Sequence, residues 1–138
     1  MSYLLDKNVI CELVAAKPNK MVLKWFDKIP PETLHVSVLT LGEIRKGIES
    51  IKEEKRKETL RVWLEIDLPT WFGKRILAVD YHVADVWGRL QNNEKRTLPA
   101  IDSLIAATAL HYDLRLVTRN IKDFKFSFLQ AVNPWDGD

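Results

Sequence analysis

Short apolar segments recur along this chain, separated by stretches whose apolar residues return every three or four positions. That alternation restricts the fold more than any other feature. Tyr3 to Leu5 reads as a first strand, followed by Val9, Ile10, Leu13 and Val14 at helical spacing until Lys17-Pro18-Asn19. A second helix covers Met21 to Ile29 and stops at Pro30-Pro31. Leu34 to Val38 is a second strand, leading into a helix from Thr40 to Ile51. The pattern stays helical from Lys52 to Leu68 and is expected to end at Pro69. Ile76 to Val79, Leu114 to Thr118 and Phe128 to Val132 supply further short strands. Between them lie helices at Tyr81 to Gln91 and Asp102 to His111.

Strands separated by helices pair in parallel through crossovers. The expected fold is therefore α/β: a three-layer α/β/α sandwich with a mostly parallel central sheet of four to five strands. Residues 1–138 are read as one domain, long enough to bury a core without disulfides. In such folds ligands bind beyond the carboxyl ends of the strands, where strand order reverses.

Composition narrows the function by exclusion. A single cysteine, Cys11, rules out an internal disulfide and argues against a thiolate-rich zinc site. No apolar run reaches membrane-spanning length, and Met1-Ser2 leads into the first strand without a basic leader. A cytoplasmic protein without a membrane role is expected. Net charge is only +2, which permits local basic patches but does not mark a strongly basic nucleic-acid binder. The densest patch, Lys52, Lys55, Arg56, Lys57 and Arg61, is interleaved with Glu53, Glu54 and Glu58 and reads as a solvated, ion-paired helix face. His35, His82 and His111 have no ligand-like spacing, Ser37 and Ser103 have no base beside them, and the five glycines form no phosphate loop.

Carboxylates stand where the fold presents residues to a ligand. Asp6 directly follows the first strand, so it projects from the sheet edge or caps the next helix. Glu43 lies between Leu41 and Ile44, close to an apolar stripe, though Thr40 three residues earlier also fits a capping box. Asp102 opens the apolar helix DSLIAATAL and fits either a ligand or a residue favoured by the helix dipole. Beyond the fourth strand, LVTRNIKDF offers Thr118, Asn120 and Asp123 to close the cluster, with Asp123 open between ligand, base and turn residue. Acids that converge need a hard divalent cation, and Mg²⁺ or Mn²⁺ suits oxygen ligands. Such a centre, with one ion or two, points to phosphodiester chemistry.

These segments resemble the PIN-domain ribonucleases, in particular the VapC toxins and their FitB-like branch. YLLDKNVICEL is similar to that family's first motif, SVLTLGEIRKGIE to the second, AIDSLIAATAL to the third, and LVTRNIKDF with the closing NPW to the last. The resemblance implies a Mg²⁺-dependent endoribonuclease acting on transfer or ribosomal RNA. Asp6, Glu43 and Asp102 would be the core acids and metal ligands, Asp123 the fourth acid, and Asn8, Thr40, Thr118 and Asn120 supporting residues. It also implies a VapB-like antitoxin whose tail covers the site, a homodimer that builds larger complexes, and operator DNA contacted only through the antitoxin. One departure stands out: Lys7 occupies the place after the first acid where the family carries Thr or Ser. That lysine can pair with Asp6 and compete with the metal, point to solvent, or contact a substrate phosphate.

Overall fold

The computed structural model describes residues 1–94, 96–126 and 128–137. Its sheet has five parallel strands in the order β3-β2-β1-β4-β5: β1 (Tyr3–Leu5), β2 (Leu34–Ser37), β3 (Ile76–Leu77), β4 (Arg115–Val117) and β5 (Ala131–Val132). The chain builds outward from β1 in both directions, so β1 and β4 flank the point where strand order reverses. Leu4 lies opposite His35 on one side and Leu116 on the other.

Alternation along the strands separates two cores. Leu5, Leu34, Val36 and Val117 face one side. They pack with Val9 and Ile10 of α1 (Lys7–Glu12), Trp25 of α2 (Lys20–Lys28), Ile44 and Ile48 of α3 (Val38–Glu49), and Leu68 and Phe72 of α5 (Leu68–Phe72). Leu4 and Leu116 face the other side. Against them lie Leu90 of α6 (Tyr81–Asn93) and Ile105, Ala106 and Ala109 of α7 (Ala100–His111). The three-layer α/β/α expectation therefore holds. No described helix is long and apolar enough to cross a membrane.

Several boundaries differ from the sequence pattern, each for a local reason. The helical stretch expected from Lys52 to Leu68 begins at α4 (Glu54–Val62), where the Glu53 carboxylate accepts from the Lys55 and Arg56 amides. Pro69 does not end it. A wider π-type turn at Trp63–Asp67 intervenes, and Pro69 falls in the first turn of α5, where a missing amide hydrogen is tolerated. The last strand, expected from Phe128 to Val132, is shorter: Phe128 lies outside it, with φ +67° and its side chain exposed, and only Ala131–Val132 pair with β4. Of the basic stretch, Arg61 is ion-paired among the described residues, reaching both Glu58 and Glu65, and Arg45 of α3 also reaches Glu65.

Candidate active site

Asp6 stands at the carboxyl end of β1, its amide donating to the Val117 carbonyl of β4 (2.9 Å). It is also the cap of α1, since its Oδ1 accepts from the Lys7 amide at 2.8 Å. The cap uses one carboxylate oxygen and leaves the other for further partners. Only 8% of Asp6 is exposed, and its other oxygen, Oδ2, accepts from the Thr118 hydroxyl (2.7 Å) and from Asn8 Nδ2 (3.4 Å). A buried carboxylate needs such donors. Thr118 is fully buried just beyond β4, and its hydroxyl also accepts from the Asn120 amide at 3.1 Å. Asn8 returns to the same loop, its Oδ1 accepting from the Arg119 amide at 3.2 Å.

Glu43 lies in α3, which follows β2 without a loop because Ser37 ends the strand and caps the helix, accepting from the Leu39 amide. The helix therefore starts before Thr40, and the capping-box alternative for Thr40 and Glu43 is excluded. Glu43 sits in the second turn, part-buried. Burial pushes its carboxyl above the usual carboxylate range; Lys7 pulls it back, while Asp6 and Asp102 push it further up. Thr40 is buried in α3, with no hydrogen bond from its hydroxyl to an acid among the described residues.

Asp102 is the third residue of α7 rather than its opening residue, because the helix begins at Ala100 behind Pro99. Burial raises its carboxyl, and the charges of Asp6 and Asp123 raise it more. Asp123 is exposed, on the short 3-10 turn Ile121–Phe124, with its amide bonded to the Asn120 carbonyl at 2.9 Å. The four acids from four separate segments thus share one electrostatic field. Sequence reasoning weighed Ser103, the residue after Asp102, only as a nucleophile and missed its structural role. Its buried hydroxyl donates to the Pro99 carbonyl at 2.7 Å and accepts from Trp87 Nε1 at 2.9 Å, which ties the first turn of α7 to α6. Its place directly after the acid was the available signal.

Among the described residues, no group of three or more His, Cys, Asp or Glu side chains is positioned to hold a metal ion without moving. The donor set nonetheless suits one. Carboxylates raised by desolvation and by one another's charge are relieved when a cation joins them, and all the donors are hard oxygens. Asp6 is held in place by its hydrogen bonds, and Glu43 feels the charges of Asp6 and Asp102 from α3. Lys7 makes no ion pair with Asp6 among the described residues; it is exposed and acts on the site by its charge.

Known proteins resemble this chain along nearly its whole length. The PIN-domain family profile matches residues 3–126. Toxin FitB of Neisseria gonorrhoeae is 33% identical over 135 residues, covering 96% of this chain and 97% of that protein. VapC ribonuclease Y4jK of Sinorhizobium fredii is 32% identical over 135 residues, covering 96% of each. In three dimensions the chain superposes on the FitAcB crystal structure from Neisseria gonorrhoeae with a TM-score of 0.88, at 32% identity, covering 96% of this chain and 98% of that one. With a matching profile over most of its length and relatives above 30% identity end to end, this chain belongs to the PIN-domain family, in its FitB and VapC branch.

Proposed function

We propose that this chain is the toxin of a type II toxin–antitoxin pair and a Mg²⁺-dependent endoribonuclease, with Mn²⁺ a workable substitute. The carrying observation is the electrostatic coupling of Glu43 and Asp102 to Asp6 and Asp123 at the switch point of the sheet. Asp6, Asp102 and Glu43 are the residues that would hold the ion. When bound, the ion supplies Lewis-acid stabilisation for charge developing on the scissile phosphate.

The chain's own residues divide the remaining work. Thr118, Asn8 and the Lys7 amide fix the Asp6 carboxylate, so its free lone pairs face the ligand position. Glu43, more basic than an ordinary carboxylate through burial and its acidic neighbours, accepts the proton of the attacking water at a carboxylate oxygen. Asp123 adds its charge to the field at Asp102, from the loop that Asn120 and Thr118 brace. By the family resemblance the substrate is transfer or ribosomal RNA. The partners are a VapB-like antitoxin and a second copy of the chain, and operator DNA is reached through the antitoxin. The curated relatives named toxin and ribonuclease support this reading.

The test is cleavage of total RNA by purified, antitoxin-free protein with Mg²⁺ or Mn²⁺, beside Asp6→Asn and Asp102→Asn. Loss of cleavage in both variants is expected. Equal cleavage in the variants would trace the activity to a contaminant. A second reading, a catalytically weakened module that binds antitoxin, is favoured by one observation: the exposed Lys7, next to Asp6 in sequence, opposes the rise of the Glu43 carboxyl by its charge. Absence of cleavage at every metal concentration would select it.

A further inference from the structure

An RNA strand that approaches four carboxylates meets strong like-charge repulsion, so cations at the rim must guide its phosphates in. Most arginines of this chain are already engaged. Arg45, Arg61, Arg89 and Arg96 pair with carboxylates, and Arg75 donates to the carbonyls of Pro31, Leu34 and Trp71. Arg115 begins β4, at the opposite edge of the sheet from the acids, and Arg56 lies on the exposed face of α4. Arg119 differs from all of these. It directly follows Thr118, the residue that holds Asp6, and its guanidinium has neither ion pair nor hydrogen bond among the described residues.

That cation is nonetheless held in place. Its carbon centre lies 5.0 Å from the centroid of the Trp135 ring. Its backbone is pinned on both sides, the amide donating to Asn8 Oδ1 (3.2 Å) and the carbonyl accepting from Asn133 Nδ2 (3.4 Å). Asn133 Oδ1 in turn accepts from the Trp135 amide at 2.9 Å, and the indole packs partly buried against the α1–α3 core. A guanidinium lying on an indole keeps its in-plane N–H groups free for a two-pronged bond to phosphate. Lys7, Lys46 and Lys122 lie near the same acids, but none has a comparable support among the described residues.

We propose that Arg119, laid on the Trp135 ring, is the positioning residue that grips the RNA phosphate next to the scissile one and registers the strand over the acids. The assignment rests on the ribonuclease reading for its substrate class, and binding without cleavage separates the two. The probe is a short single-stranded RNA of randomised sequence, end-labelled with fluorescein. Its affinity is measured by anisotropy in EDTA over a range of KCl concentrations, for wild type, Arg119→Gln and Arg119→Lys.

For Arg119→Gln we expect about tenfold weaker binding at low salt, the size of a charge-assisted hydrogen bond at an exposed site. The log–log salt slope should fall by about 0.7, one phosphate contact on a single strand. In cleavage assays with Mg²⁺, kcat/KM should fall, with KM rising more than kcat drops. Arg119→Lys should recover the slope but not the full affinity, a pattern that a folding defect does not give. A wild type that binds RNA and loses binding on Arg119→Gln, yet never cuts, would support the Arg119 assignment and refute the ribonuclease reading. Unchanged affinity and slope in Arg119→Gln would overturn the assignment, as would a wild type that does not bind RNA. Arg119→Lys matching wild type in every measure would overturn the stacked, forked geometry.

Discussion

Replacing Thr118 with valine probes the contact that joins the two central strands of the site. The substitution keeps the shape and removes one hydroxyl, which donates to Asp6 Oδ2 at 2.7 Å and accepts from the Asn120 amide at 3.1 Å. Asn120 is exposed, so water replaces the second bond at little cost. Asp6 is only 8% exposed, and the first bond is not so easily replaced. Hydrogen bonds to charged groups contribute about 1.5–3 kcal/mol, and the added buried methyl recovers roughly 0.8 kcal/mol. A net loss of about 1–2 kcal/mol follows. At about 3–5 °C per kcal/mol for a domain of this size, Tm should fall by roughly 3–10 °C. The assay is reversible thermal unfolding of wild type, Thr118→Val, Asp6→Ala and the double variant. The double-mutant cycle should show a coupling of about 1–2 kcal/mol, since the two side chains touch. A Thr118→Val protein as stable as wild type, or a cycle without coupling, would refute the claim that this bond organises the site.

Asp102→Asn should abolish cleavage while raising Tm by a few degrees, because it removes a charge that burial, Asp6 and Asp123 all disfavour. The sign is testable by pH: a carboxyl raised by folding contributes stability that is lost as pH rises through its folded value. Wild type should therefore gain stability relative to Asp102→Asn as a neutral solution is acidified toward the ordinary carboxylate range. Unfolding midpoints of the two proteins across pH would show it, and parallel curves would contradict it. If Glu43 takes the proton from water, cleavage rate should climb through a pH window above the ordinary carboxylate range, and Glu43→Gln should lose that limb of the profile. Lys7→Thr should lower the Mg²⁺ concentration needed for half-maximal cleavage, since Lys7 places positive charge beside Glu43; an unchanged activation curve would exclude competition between lysine and metal.

Apolar spacing located all five strands to within a few residues, because strand and helix periodicities depend only on near neighbours. Asp6, Asp102 and Asp123 lie near element ends, as their sequence positions suggest, while Glu43 falls in the second turn of α3. Their local roles were harder to assign. Ser37 rather than Thr40 caps α3, since β2 passes into the helix without a loop, and Ala100 rather than Asp102 begins α7. Pro69 looked like a stop, but the π-type turn before it shifts the hydrogen-bond ladder so that no proline amide is required.

Periodicity alone determines that this chain makes a parallel α/β sandwich with acids at its strand ends. It carries no information on strand order, because order depends on which apolar faces pack across long stretches of chain. Only the tertiary structure decides that β4 lies beside β1, which brings the Thr118 hydroxyl to Asp6 across 112 positions. The same adjacency sets Asp123 in the field of Asp102 and lays Arg119 on Trp135. Of the four acids only Asp6 is a helix cap; the desolvation and mutual repulsion that raise Glu43 and Asp102 exist only once the segments meet.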